Sequence, residues 1–250
     1  PYPSYAKLTP DDMYALYVYL MKGIPAVHFP NKPMEIGFPF NMRWSLAFWD
    51  FVFADATPFV KDPTKDEVWN RGAYLVQGLG HCGACHTPRG IAFQEVAMSE
   101  KGANGGKFVS GAKVEEWNAI NLRDLWTVED TVELLKTGQN RFATVSGSMT
   151  EVIHNSTQNF TEADLVAIAT YLKSLPTDHP YQEAPPKPDE GVPAAMFNTR
   201  GGLAYSQFCA DCHRLNGAGV PKVFPPLAGN PTVNAGDAST LVHITLTGWK

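Results

Sequence analysis

The stretch "GLGHCGACHTPRG", residues 78 to 90, sets two cysteines three positions apart and presses a histidine against the second. The same arrangement returns at "QFCADCHRLNG", where Cys209, Cys212 and His213 repeat Cys82, Cys85 and His86. These four are the only cysteines in the 250 residues, so none is left for a separate disulfide framework. Whatever the pairs do is local chemistry, and the chain builds it twice.

Three chemistries use a CxxC pair. Zinc takes about four ligands in a tetrahedron, which two pairs drawn from distant segments would supply. Dithiol exchange takes a low-pKa thiolate, commonly at a helix start in a βαβ setting. Covalent haem attachment takes two thiols that add to the vinyl groups on one edge of the porphyrin, followed by a histidine that reaches the iron from the proximal side. Only the third needs the histidine, and a reading as buried structural thiols explains neither His86 nor His213. The spacing points to c-type haem, with Cys82, Cys85, Cys209 and Cys212 as thioether anchors and His86 and His213 as proximal ligands.

The second axial ligand decides what such an iron does. A methionine sulfur closes it and raises its potential, whereas an open site admits ligand chemistry. Met149, in "NRFATVSGSMTEV", sits in a Gly/Ser-rich loop ahead of a capped helix, in polar surroundings that do not suit a core methionine. It is the expected distal ligand of the first motif. His154 is the alternative, and His81 is too near Cys82 in sequence to reach across the ring. Met42, in "FPFNMRW", follows a helix and is expected in a structural or interface role.

The motifs sit in a recurring helical frame. "LTPDDMYALYVYLMKGIP" has Thr9 as cap, Pro10 in the first turn and Met13, Leu16, Tyr17 and Leu20 on one face, predicting an amphipathic helix that ends near Pro25. "FTEADLVAIATYLKSLP" repeats it with Thr161 as cap and Leu165, Ile168, Ala169 and Leu172 on the buried face. A third capped helix is predicted from Thr127 to Gly138. Short helical openings precede each cysteine pair, from Arg71 and from Arg200. Strand-like alternation is scarce. Proline-rich joins at 53–67 and 175–193 separate the repeats, because proline stiffens the chain and is denied to helix interiors and central strands. One complete unit, 68–176, is therefore expected between a closing part, 1–52, and an opening part, 197–250, with linkers at 53–67 and 177–196.

A formal charge of −5 with no lysine or arginine run excludes a nucleic-acid partner, since neutralising phosphates needs clustered cations. No stretch reaches the roughly eighteen uncharged apolar residues that spanning a bilayer takes, and the chain opens at Pro1 rather than with a basic, apolar leader. Its start and its end in "HITLTGWK" suggest a fragment of a longer chain. Distal ligands for the outer units are expected beyond it.

The joined pattern "PYPSYAKLTPDDMYALYVYL", "FPFNMRWSLAFW", "RGAYLVQGLGHCGACHTPRG", "DLVAIATYLKSLP" and "FPPLAGNP" resembles, over essentially the whole chain, the three-haem cytochrome c subunit of bacterial membrane-bound dehydrogenases acting on alcohols, gluconate and other polyols. The resemblance implies a mainly α fold of tandem class I cytochrome c domains, one complete and two partial, joined by Pro-rich linkers. It implies two haem c groups here and a third in the longer chain. It further implies a flavin- or pyrroloquinoline quinone (PQQ)-dependent catalytic subunit as electron donor and ubiquinone as acceptor, on the periplasmic side of the inner membrane. Carbonyls in "NAINLRD" and "FPPLAGNP" are implied as partners of the second nitrogens of His86 and His213.

"RWSLAFWDFVFA", residues 43 to 54, carries Trp44, Phe48, Trp49, Phe51 and Phe53 with few charges. It suits either a contact with a partner or membrane interface, or a core face over the first haem. Two functions follow. One is an electron-transfer subunit with no catalytic residues of its own; the other is a multihaem redox enzyme of the peroxidase or thiosulfate-oxidising type. No general acid–base constellation stands out near either motif, which weighs for the first.

Overall fold

A computed structural model describes residues 2–178 and 194–248. The second proline-rich join lies outside the described residues from 179 to 193. The fold is mainly helical. A 3-10 turn, Tyr2–Lys7, leads into α1 (Pro10–Val18), which continues as a π turn through Tyr19–Gly23. Then come α2 (Trp44–Phe53), α3 (Glu67–Gln77) and the one-turn α4 (Gly83–His86). A short hairpin follows, β1 (Ala112–Val114) antiparallel to β2 (Trp117–Ala119), with Ala112 opposite Ala119. Helices α5 (Val128–Thr137), α6 (Ser148–Asn155) and α7 (Glu162–Ser174) complete the central region. The C-terminal region holds α8 (Arg200–Phe208), the one-turn α9 (Ala210–His213) and α10 (Ser239–Thr247).

The caps form as the local sequence dictates. Thr9, Thr127 and Thr161 each accept a hydrogen bond from the backbone N–H three residues on, at Asp12, Asp130 and Asp164. Each bond satisfies a donor that the first helical turn leaves orphaned. Gly138 ends α5 in the left-handed region, φ 81°, where a β-carbon is penalised. The opening helix α3 starts earlier than its repeat pattern suggests, at Glu67, because Asp66 supplies the cap and accepts from Trp69 N–H.

The main core lies where α7 packs against both α3 and α5. Trp69, Ala73 and Val76 of α3 meet Leu165, Ile168, Tyr171 and Leu172 of α7, with Leu135 of α5 and the loop residues Phe108 and Val109. Each large apolar side chain buried here contributes about 2 kcal/mol of transfer free energy. A smaller cluster joins Trp126, Leu134, Phe142 and Ala143, with Ile120 packed against it.

The amphipathic reading of α1 is corrected. Met13, Leu16, Tyr17 and Leu20 are all exposed, and no residue of α1 is buried. In α7 the corresponding apolar face is covered by α3; among the described residues no opening helix lies against α1. Periodicity states which face is apolar, and burial also needs a partner surface. Instead the segment leading into α1 docks on the central region. Leu8 is buried, Thr9 N–H donates to Tyr74 Oη at 3.1 Å, and the Lys7 ammonium meets Asp55 at 2.6 Å. Among the described residues no helix is long and apolar enough to cross a membrane.

Candidate haem-attachment sites

Both motifs are built alike. After α3 the chain reverses through Gly78 and Gly80 and enters α4 with Cys82 at its N-terminal boundary and Cys85 one turn on. His86 N–H closes the turn on the Cys82 carbonyl at 2.9 Å, and His213 N–H does the same on Cys209 at 2.9 Å. In each pair the first cysteine is half-buried and the second exposed, and all four are free thiols. An (i, i+3) pair on one helical turn presents both sulfurs along one edge. Gly83 between them is closely surrounded: a β-carbon there would lie 2.5 Å from Glu95 Oε2 and 3.0 Å from the Phe108 ring, so the Glu95 carboxylate would have to shift, whereas the second motif holds Ala210 at this place.

The histidines carry the most specific geometry. His86 Nδ1 lies 2.7 Å from the Ile120 carbonyl oxygen, and His213 Nδ1 lies 2.9 Å from the Pro225 carbonyl oxygen. Ile120 belongs to "NAINLRD" and Pro225 to "FPPLAGNP", the two segments the resemblance implied. A carbonyl only accepts, so Nδ1 carries the hydrogen and Nε2 keeps its lone pair for a metal. Burial holds the His86 pKa below its ordinary value and so favours the neutral ring, while the hydrogen bond to the Ile120 carbonyl pulls the other way.

The thiols of the first pair behave differently from exchange thiols. Burial pushes Cys82 up to about 12 and also raises Cys85, the reverse of the depressed pKa that disulfide exchange uses. Nor do the two pairs gather: among the described residues no three His, Cys, Asp or Glu side chains converge as a metal site, so the four-thiolate zinc arrangement is not formed.

Met149 stands in the first turn of α6, after Gly147, and packs against the main core beside which Cys82 also packs. His154 lies on the same helix but is exposed, its neighbourhood being Gln158 rather than the core. The His81 ring turns to Tyr5, 6.2 Å away. Met42 is half-buried in the turn before α2. In α2 the aromatic residues divide: Trp49 donates to the Ala92 carbonyl at 2.8 Å and packs on Tyr2 and Phe53, while Trp44, Phe48 and Phe51 are exposed.

The donor set fits a haem. Two buried polar atoms in this lobe have no hydrogen-bond partner among the described residues, Trp126 Nε1 and Thr150 Oγ1. Thr150 is next to Met149, and Trp126 shares the smaller cluster with Ile120. Orphaned buried donors of this kind call for an acceptor that the polypeptide does not provide, and a porphyrin carries carboxylates. Neither Trp126 nor Trp117, which packs on Gly147, is marked by any local sequence pattern.

No protein-family model matches the sequence. Individual relatives do. The chain is 42% identical over 261 residues to the cytochrome c subunit of a quinone alcohol dehydrogenase from Gluconacetobacter polyoxogenes, covering 99% of this chain and 55% of that protein. It is 40% identical to the gluconate 2-dehydrogenase cytochrome c subunit of Pantoea cypripedii, covering 99% and 59%. It is 32% identical to the fructose dehydrogenase cytochrome subunit of Gluconobacter japonicus, covering 99% and 54%. The chain spans about half the length of these curated relatives, and over that half it belongs with the cytochrome c subunits of alcohol, gluconate and fructose dehydrogenases.

Proposed function

We propose that this chain is the electron-transferring part of a dehydrogenase complex, carrying haem c at each CxxCH motif. Bound haem supplies a one-electron iron couple. Cys82 and Cys85, and Cys209 and Cys212, hold it by adding their thiols across its vinyl groups. His86 and His213 are the proximal ligands, each oriented by a backbone carbonyl, and Met149 is the distal ligand of the central site. The observation that carries the reading is the repeated histidine-to-carbonyl bond, made at both motifs through loops of unrelated length.

The central site then lies in a complete unit, 68–176, with parts of further units at 1–52 and 197–250, and a third haem belongs to the longer protein. Electrons arrive from a flavin- or PQQ-dependent catalytic subunit and leave to ubiquinone, on the periplasmic side of the inner membrane. The donor is supported by the names of the relatives as subunits of dehydrogenases, one of which carries quinone in its name. Contact with the membrane surface is supported by the exposed aromatic side chains Trp44, Phe48 and Phe51.

Mass measurement on the natively exported chain tests the attachment. Two haem masses above the polypeptide are expected, with one lost in Cys82→Ser/Cys85→Ser and the other in Cys209→Ser/Cys212→Ser. Met149→Ala is expected to abolish the far-red iron–sulfur absorption band of the central haem while both haems stay attached. A chain of bare polypeptide mass, or a band that survives Met149→Ala, overturns the corresponding assignment.

A further inference from the structure

Strand β2 stands between both axial positions of the central site. Its last residue, Ala119, is followed directly by Ile120, whose carbonyl orients His86. Its first residue, Trp117, backs the turn that leads into Met149: a β-carbon on Gly147 would lie 2.4 Å from Trp117 Cε2. From the other side the strand is gripped by α10. Asn118 N–H donates to Thr240 Oγ1 at 2.6 Å, and Thr240 is buried. The Trp117 and His243 rings meet edge to face, centroids 4.6 Å apart at 62°. The Glu116 carboxylate lies 3.8 Å from His243 Nδ1. Among the described residues this is the one ring pair that joins the central region to the segment carrying the second motif.

We propose that Trp117 is a positioning residue through which docking of α10 sets the axial geometry of the central haem. α10 supplies no candidate ligand to that iron, and β2 is the element it packs against, so its mechanical influence on the axial pair runs through that strand. Trp117 relays it in two directions, along the strand to the Ile120 carbonyl and across its own ring to the Gly147 turn. Iron potential depends on how the axial ligands are held, so docking of α10 becomes one determinant of the central potential. This rests on His86 and Met149 being the axial pair.

Redox titration and absorption spectra of the full haem-loaded chain test it, with Trp117→Ala, Trp117→Phe and His243→Ala. Trp117→Ala is expected to keep both haems, shift the central midpoint potential and weaken the far-red band. Trp117→Phe, which keeps a ring on both contacts, is expected to restore most of each. His243→Ala is expected to shift the same potential in the same direction by less. Should Trp117→Ala not fold, His243→Ala still decides, because that side chain lies at the surface end of the contact, 28% exposed, and its truncation disturbs the fold less. An unchanged central potential in His243→Ala overturns the coupling. Failure of the axial assignment shows separately, as survival of the band in Met149→Ala.

Discussion

Gly72 on α3 faces Ala167 on α7 so closely that a β-carbon at Gly72 would lie 2.0 Å from the Ala167 carbonyl oxygen. Backbone cannot step aside as a side chain can, so the two helices would have to part. Gly72→Ala is expected to destabilise the chain by about 3 kcal/mol, the upper end for overpacking. Gly201, inside α8 with nothing within 4 Å, is the contrast. Gly201→Ala is expected to be neutral or to stabilise by up to about 1 kcal/mol through helix propensity. Denaturant midpoints of the two variants check both; equal midpoints would show that the α3–α7 crossing tolerates separation.

Arg123 is buried, and its guanidinium hydrogen-bonds three backbone carbonyls: Pro176 at 2.7 Å, Gly105 at 3.0 Å and Phe108 at 2.8 Å. It ties the loop before the hairpin to the end of α7. A lysine carries the charge but not the planar fork of donors, so at least one carbonyl is left unpaired. Arg123→Lys is expected to cost about 2–3 kcal/mol, read as a lowered denaturant midpoint with faster proteolysis between residues 105 and 123. Wild-type stability in Arg123→Lys would mean that the three bonds are redundant.

What the sequence made legible was what is local. A threonine cap is decided by the residue and the N–H three positions on, so Thr9, Thr127 and Thr161 were readable, as was the CxxCH turn. The bond from each histidine to a carbonyl is not local. It closes over 34 residues at His86 and over 12 at His213, so no spacing rule finds both, and only the family resemblance pointed to the segments. The spacing in α1 placed Met13, Leu16, Tyr17 and Leu20 on one face, and the structure leaves them exposed, since burial depends on a surface the pattern does not describe. Arg123 and Trp117 were missed for a further reason: their roles come from which loops the fold brings beside them.

Lys7 and Asp55 give the docked N-terminal segment a pH dependence. Burial alone would raise the Asp55 carboxyl, but hydrogen bonds from Lys7 and Thr57 overcome it and hold the pKa at about 2, below the ordinary value of 3.8. The folded value is depressed, so this contribution to stability is fully present above the unfolded value and is lost as pH falls from 3.8 towards about 2. The difference in melting temperature between the wild type and Asp55→Asn is expected to be constant at neutral pH and to close across that window. Because Lys7 is buried, Asp55→Asn also removes the counter-charge of its ammonium, leaving the Thr57 carbonyl at 3.0 Å, and is expected to be the less stable protein at pH 7. A difference that persists unchanged below pH 2 would mean that the pair does not hold the segment.

Gly147 is the tightest constraint on the turn that presents Met149. Its φ is +57° with ψ −143°, a conformation that costs an L side chain about 1–3 kcal/mol, and a β-carbon there would lie 2.4 Å from the Trp117 ring. Gly147→Ala meets both penalties at once. It is expected to lower stability and weaken the far-red band while leaving the helix content of the core intact. The two penalties separate in the double variant Gly147→Ala/Trp117→Ala, where the ring contact is gone and only the backbone term remains. Relative to the sum of the single changes, the double change is expected to recover at least about 1 kcal/mol, because residues in contact couple when one relieves a clash with the other. Strict additivity would mean that the Trp117 ring moves away freely, and with it would go the idea that this ring holds the Met149 turn in place.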